Sequence, residues 1–318
     1  MALFETDDDE LAGLALKARS EDAGVRRVAM LRLAETPGEE ATELLIGGIA
    51  DPVAEVRGAA AGALEEHGGL AAVRALLGAL DDPDAAVREA AARSLAERRE
   101  AEAVPLMIAR AAEGAPFARA AALRGLCEFG PVAALSVAME ALAAPAVSVR
   151  REAVALLGRL RAEAAQDGLM AMAADPDPEL RRASMAALVF IRSGMKAGAA
   201  LVAGLADQDW RVREEAAESI ARSALGEAEP ALIAALDDPV WQVRLKAARA
   251  LGRLGARAAV PAIARALASE VSNLRKEAAA ALGEIGDAAA LPALRAAAAD
   301  ADPEVRKTAL WAATRCRG

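Results

Sequence analysis

One arginine recurs along the whole chain at a nearly fixed interval, and this constrains the fold more than any other feature. The positions are Arg26, Arg57, Arg88, Arg119, Arg150, Arg181, Arg213, Arg244, Arg275 and Arg306. Every step is 31 residues except the one from Arg181 to Arg213, which is 32. Valine precedes the arginine seven times, at Val25, Val56, Val87, Val149, Val212, Val243 and Val305. A fixed interval of this length marks a stack of small units, none of which can bury its apolar face alone. Ten such units fill the 318 residues after an acidic lead over 1–10. A single solenoid over 1–318 is therefore expected, with no separate second domain.

Each unit reads as two helices. Around Arg244, Leu232, Ile233 and Leu236 fall at helical spacing, and Asp238-Pro239 then ends that helix, because proline cannot continue it and restrains the residue before it. A second helix starts near Trp241 and puts Val243, Ala247, Leu251 and Leu254 on one face, with Gly255 to stop it. Four residues before the arginine stands Asp22, Asp84, Asp177, Asp209 or Asp302, a good N-cap for the second helix. Pro116, Pro178 and Pro303 follow at the first helical position. Pro105, Pro230, Pro261 and Pro292 do the same for the first helices.

Composition agrees with an all-α superhelix. Hydrophobic residues make up 55% of the chain and aromatic ones 2%, with no tyrosine. Alanine supplies much of the apolar share; it is the best helix former and lets helices approach closely. The start is acidic, unlike a targeting peptide, and no uncharged apolar run approaches a membrane span. Cys127 and Cys316 stand far apart in no redox or metal motif. A cytoplasmic chain that is monomeric when free is expected.

The pattern Asp-Pro-x-x-x-Val-Arg-x-x-Ala-x-x-x-Leu-x-x-Leu/Ile-Gly resembles the HEAT repeat. It is most similar to the short HEAT-like form of phycobilisome lyase subunits. The clearest copies begin at Asp51-Pro52 and Asp238-Pro239. The resemblance implies an α-α superhelix of the HEAT/armadillo kind whose second helices line a concave surface. It also implies an Asp–Arg pair that ties helices and neighbouring repeats together. Here that structural ladder is Arg57, Arg88, Arg150, Arg181, Arg213, Arg244 and Arg306 with Asp51, Asp82, Asp175, Asp207, Asp238 and Asp300, which stand six residues before an arginine. A cation in the first turn opposes the helix dipole and so should seek a carboxylate.

Little points to chemistry. The one histidine, His67, falls in the slot that other units fill with Leu160, Ile191, Leu254 and Ile285, and reads as a satisfied core residue. No nucleophile motif, phosphate loop or nitrogen–sulfur metal set is present, so no catalytic residue, metal or cofactor is assigned. Lys+Arg 38 against Asp+Glu 47 gives −9, which disfavours nucleic acid even though some HEAT-like DNA glycosylases resemble this architecture. Residues 1–160 hold 17 basic and 26 acidic residues, and 161–318 hold 21 of each.

Binding is the better expectation, and the partner is another protein. Nine positions after each arginine, on the exposed side of the second helix, the row reads Glu35, Glu66, Glu97, Glu128, Arg159, Phe190, Arg222, Arg253, Glu284, Arg315. It changes from acidic to mostly basic and so could orient a partner. Phe190 and Trp311 on this face, Met185 and Met195 beside it, and the equivalent pair Trp210 and Trp241 are candidate apolar anchors. The expected function is a non-enzymatic scaffold or adaptor. The alternative, implied by the resemblance alone, is an accessory or maturation protein for a bilin-bearing partner; DNA binding ranks third.

Overall fold

The computed structural model describes residues 7–191 and 195–316, without the side chains of residues 7–9 and 195. Among the described residues there are twenty α-helices and no strand. The chain divides into two compact units, Met1–Leu160 and Arg161–Gly318. The first holds α1 (Asp7–Ala18), α2 (Ala23–Leu33), α3 (Glu39–Gly48), α4 (Ala54–Ala63), α5 (Leu70–Ala79), α6 (Ala85–Ala96), α7 (Val104–Ala112), α8 (Pro116–Phe129), α9 (Leu135–Ala141) and α10 (Val147–Leu160). The second holds α11 (Gln166–Met172), α12 (Pro178–Leu188), α13 (Met195–Gly204), α14 (Trp210–Ser223), α15 (Glu229–Ala235), α16 (Trp241–Leu254), α17 (Val260–Ala266), α18 (Ser272–Ile285), α19 (Leu291–Ala297) and α20 (Pro303–Arg315).

Helix boundaries follow the local chemistry. Asp22, Asp84, Asp177, Asp209 and Asp302 each cap a second helix by accepting from its first N–H groups. Gly130, Gly255 and Gly286 end second helices in the left-handed region. Arg161 and Ala224 take the same conformation at the same repeat position, with φ of 51° and 52°.

Within each unit the second helices of successive repeats pack directly on one another, while the first helices meet their counterparts more sparsely. The second-helix layer is therefore the inner one. Its core is alanine-rich: Ala247, Ala248 and Ala250 in α16 and Ala278, Ala279 and Ala281 in α18 are buried. Such small side chains let helix axes approach to the short end of the usual 8–10 Å.

The arginine ladder is built between repeats. Arg57 donates through Nε and Nη2 to Asp82 at 2.7 and 2.9 Å, not to the side chain of Asp51 in its own repeat. Asp51 instead takes Arg26 at 2.6 and 3.0 Å. Within the repeat, Arg57 Nη1 donates to the Asp51 main-chain carbonyl at 2.9 Å. Asp51 Oδ1 also accepts from the Val53 N–H, 2.9 Å away. Arg181–Asp207, Arg213–Asp238 and Arg275–Asp300 repeat this forked geometry. Each aspartate thus joins the preceding arginine to the entry of its own second helix. Arg26 and Arg275 belong to the ladder. Arg88 and Arg244, by contrast, keep the carbonyl bonds without an ion pair among the described residues.

Candidate protein-binding faces

The row nine positions after each arginine is exposed throughout. In the first unit Glu35, Glu66 and Glu128 make no ion pair among the described residues. Glu97 has only the exposed Arg99, at 3.6 Å. Glu35, Glu66 and Glu97 follow the ends of α2, α4 and α6, where the helix dipole is also negative. Arg159 closes the row in this unit with an exposed cation.

In the second unit the basic residues of the row are largely engaged. Arg222 Nη2 donates to Glu215 at 2.5 Å. Arg315 Nε donates to the Gly283 carbonyl at 3.2 Å, and its guanidinium stands 5.4 Å from the Trp311 ring centroid. Neighbouring rows of the same face carry further pairs. Lys246 Nζ lies 2.9 Å from Glu218, and Arg249 grips Glu277 with two contacts of 2.8 Å. Burial works to raise the Glu218 carboxyl, but the Lys246 hydrogen bond and the charges of Lys246, Arg249 and Arg253 together hold it below the usual range. Arg253 is exposed and acts on Glu218 at longer range. Glu284 is exposed too. In this unit the row's exposed cations stand beside a mixed lattice of ion pairs.

The apolar candidates separate. Phe190 is 38% exposed with the Arg161 guanidinium 5.4 Å from its ring, and Trp311 is 44% exposed beside exposed Leu310. One edge of the Trp311 ring lies so close over Gly283 that any side chain there would collide with it. Met185 is corrected: at 2% exposed it is a core residue, seated against Gly204. Its repeat position is that of Met30, which sits on Gly48 in the same way. Met195 lies outside the residues whose side chains are described. Trp210 and Trp241 are the first residues of α14 and α16 and are half-buried.

His67 is buried and satisfied. Nε2–H donates to the Leu33 carbonyl at 2.9 Å, and Nδ1 faces the Thr42 hydroxyl at 2.9 Å. The same repeat position holds Arg98, which donates to the Leu64 and His67 carbonyls, and Cys316, whose Sγ lies 3.4 Å from the Leu282 carbonyl. All three polar side chains reach back to the end of the preceding second helix, where orphan carbonyls need donors. Sequence reasoning placed His67 in the right slot but missed this shared task. Arg98 pays a desolvation penalty there: burial pushes its guanidinium down from its ordinary value, against the pull of Glu100. Among the described residues no three His, Cys, Asp or Glu side chains come together as a metal site, and no helix is long and apolar enough to cross a membrane.

Two-helix units stacked through an arginine–aspartate ladder, with a decorated inner helix layer, define an α-helical repeat protein. The chain belongs to the HEAT repeat family, whose model matches residues 11–90, 49–127, 73–156, 135–221 and 229–314. Solved structures share the fold at low identity. The Escherichia coli protein YibA is 17% identical over 93% of this chain and 99% of its own, with a TM-score of 0.56. Kap95p, solved with RanGDP, is 15% identical over 96% of this chain and 48% of its own, with a TM-score of 0.60. Kap121p, solved with Nup53p, is 15% identical over 99% of this chain and 42% of its own, with a TM-score of 0.56. The chain thus spans about half the length of either karyopherin. No curated protein matches the sequence.

Proposed function

We propose that the chain is a non-catalytic scaffold that holds another protein on the exposed faces of its second helices. The observation that carries this reading is the set of large apolar side chains left exposed on those helices, Val28, Leu31, Phe117, Leu310 and Trp311, with Phe190 just past the end of α12. Exposed apolar groups rimmed by charge are the usual anchors of protein interfaces. Kap95p and Kap121p, of similar fold, hold RanGDP and Nup53p, which supports a protein as the partner class. The net charge of −9 argues against a phosphate backbone.

The test is capture from native extract with mass spectrometry, using the full chain and its Phe190→Ala/Trp311→Ala variant. One protein recovered in stoichiometric amount by the parent and depleted at least fivefold by the variant is the expected result. Capture of nothing above background, or retention on heparin at physiological salt in its place, would sink the scaffold reading. Recovery of a chromophore-bearing protein would point to the lyase-accessory role.

A further inference from the structure

In the rungs of Arg26, Arg57, Arg181, Arg213 and Arg275, Nε donates to an aspartate at 2.6–2.7 Å and Nη2 donates to the same carboxylate at 2.8–3.0 Å. In each of them Nη1 donates to two main-chain carbonyls, which fixes the direction of the fork. Arg244 is held in the same way, with Nη1 on the Asp238 and Pro239 carbonyls at 2.7 and 3.1 Å. Ser269 stands where its aspartate would be, and a serine is shorter and carries no charge. No carboxylate among the described residues takes Nε or Nη2 of Arg244. Arg88 and Arg119 also lack the aspartate, but their guanidinium groups are used otherwise. The Arg88 guanidinium lies 5.6 Å from the Phe117 ring centroid, and Arg119 Nε donates to the Ala111 carbonyl at 2.9 Å. Arg244 is thus a fork already aimed and oriented for a carboxylate that the chain does not supply.

Arg244 and Ser269 line a pocket of about 230 Å³ among α16, α17 and α18. Leu236, Ala262 and Leu274, all buried, give it apolar walls. Arg265 lines it as well and is exposed. This arginine is a second departure from the repeat. At its position, ten residues before the ladder arginine, the other nine units hold no cation, and seven of them hold glycine or alanine. The unit whose aspartate is replaced by serine is therefore also the unit with an added arginine at the same pocket. Asp237 is the one acid in the lining, with Oδ2 3.7 Å from Arg265 Nη2, and both side chains are exposed. Two arginines against one aspartate leave one net positive charge, which suits a monoanion better than a phosphate. The geometry points to a carboxylate-binding site. Its ligand is a carboxylate on a short aliphatic stem, borne either by a glutamate of a partner protein or by a small free acid. The planar fork matches two carboxylate oxygens with parallel N–H···O bonds, which a point charge would not select. Ser269 Oγ accepts from the Val271 N–H at 3.2 Å, so its O–H is left to donate to the same ligand. The site goes beyond the scaffold reading and does not depend on it, since neither Phe190 nor Trp311 lines this pocket.

The test uses the full chain labelled with nitrogen-15 in arginine, and follows the side-chain Nε–H signals by NMR. Arg244→Lys identifies the Arg244 signal by its loss. Sodium propionate and a glutamate blocked at both ends are the two probes, with sodium chloride and sodium phosphate at matched ionic strength as comparators. Both probes should move the Arg244 signal saturably, with a midpoint in the low millimolar range, and chloride should not. A blocked glutamate that binds at least threefold more tightly than propionate assigns the site to a partner's side chain; the reverse order assigns it to a free acid. Ser269→Asp supplies the carboxylate from within. It should displace the Arg244 signal in the same direction without ligand, abolish the titration and melt no lower than the parent. Arg265→Gln should raise the midpoint at least threefold with the Arg244 signal retained. No saturable movement with either probe, equal movement by chloride, or a lower midpoint for phosphate than for propionate would each overturn the proposal. So would a titration that persists in Ser269→Asp, or a midpoint that Arg265→Gln leaves unchanged. Partner capture from extract is read separately with Phe190→Ala/Trp311→Ala, so its failure leaves this site standing and the reverse also holds.

Discussion

Asp238→Ala tests whether the ladder holds the repeats together. Arg213 donates to Asp238 at 2.6 and 3.0 Å, and the Val240 N–H donates to it at 2.8 Å. The two side chains are 13% and 8% exposed, so the pair is largely shielded from water. Removing one partner of a buried pair costs roughly 3–5 kcal/mol, because the other charge stays buried. Arg213 would keep its bonds to the Asp207 and Gln208 carbonyls, which sets the loss near the lower limit. Losing the acceptor for Val240 adds about 0.5–1 kcal/mol. The sum, roughly 3–4 kcal/mol, is a large part of a typical stability. Urea denaturation followed by circular dichroism should show it, with hydrogen exchange rising first in α14 and α16. Repeat proteins lose cooperativity when an interface fails, so the transition should also broaden. The companion Arg213→Met/Asp238→Ala leaves no stranded charge and should recover about half of the loss. A loss under 1 kcal/mol, or a double variant that behaves as the sum of its singles, would refute the coupling.

The remaining predictions use the same frame. Ser269 stands where Arg244 would find its aspartate, and it already accepts from the Val271 N–H at 3.2 Å; Ser269→Asp should complete the rung and raise stability by about 1 kcal/mol, and an unchanged urea midpoint would count against it. Ala224→Gly relieves a left-handed residue at φ 52° and should stabilise by roughly 1 kcal/mol, read by calorimetry, where a fall in melting temperature would contradict the assignment. Acid should strike the ladder late. The carboxyls of Asp51, Asp82, Asp207, Asp238 and Asp300 lie below the ordinary 3.8, and Asp300 falls to about 2 because Arg275 and the Asp302 N–H donate to it. A depressed carboxyl contributes stability that is complete above its unfolded value and lost as pH falls toward the folded one. The ladder's contribution, measured as the gap between the parent and Asp238→Ala melting temperatures, should hold above about pH 4 and close below it; a gap that closes by pH 5 would be inconsistent with these values.

The ladder also shows where a periodic sequence is legible and where it is not. Ten arginines announced ten helix pairs, and caps such as Asp84 and Asp302 announced helix starts, because each signal is local and copied. The direction of the pairing was hidden by the repeat itself. An aspartate six residues before one arginine is also 25 residues after the previous one, so most copies satisfy both readings. The exceptions decide. Arg26 and Arg275 have Ser20 and Ser269 six residues earlier, yet pair with Asp51 and Asp300. Met185 was misjudged for a related reason: its burial depends on Gly204 in the next repeat, a coincidence visible only beside the matching Met30 and Gly48.

The exposed row was legible as geometry but not as electrostatics. Its register follows from helical spacing, and all ten positions are exposed. Whether a charge there is free depends on the rows four and seven residues earlier, in the same helix and in neighbouring ones. In the second unit those rows hold Glu215, Glu218, Lys246, Arg249 and Glu277, which pair across repeats and with Arg222. In the first unit the same rows hold Val28, Leu31, Ala59, Gly62 and Ala90 beside Arg93 in the first three repeats, and then Arg124 and Glu152, which pair at 2.6 Å. Small and aliphatic side chains cannot neutralise Glu35 or Glu66. That compositional difference between repeats leaves Glu35 and Glu66 without ion-pair partners among the described residues, whereas Arg222 finds one.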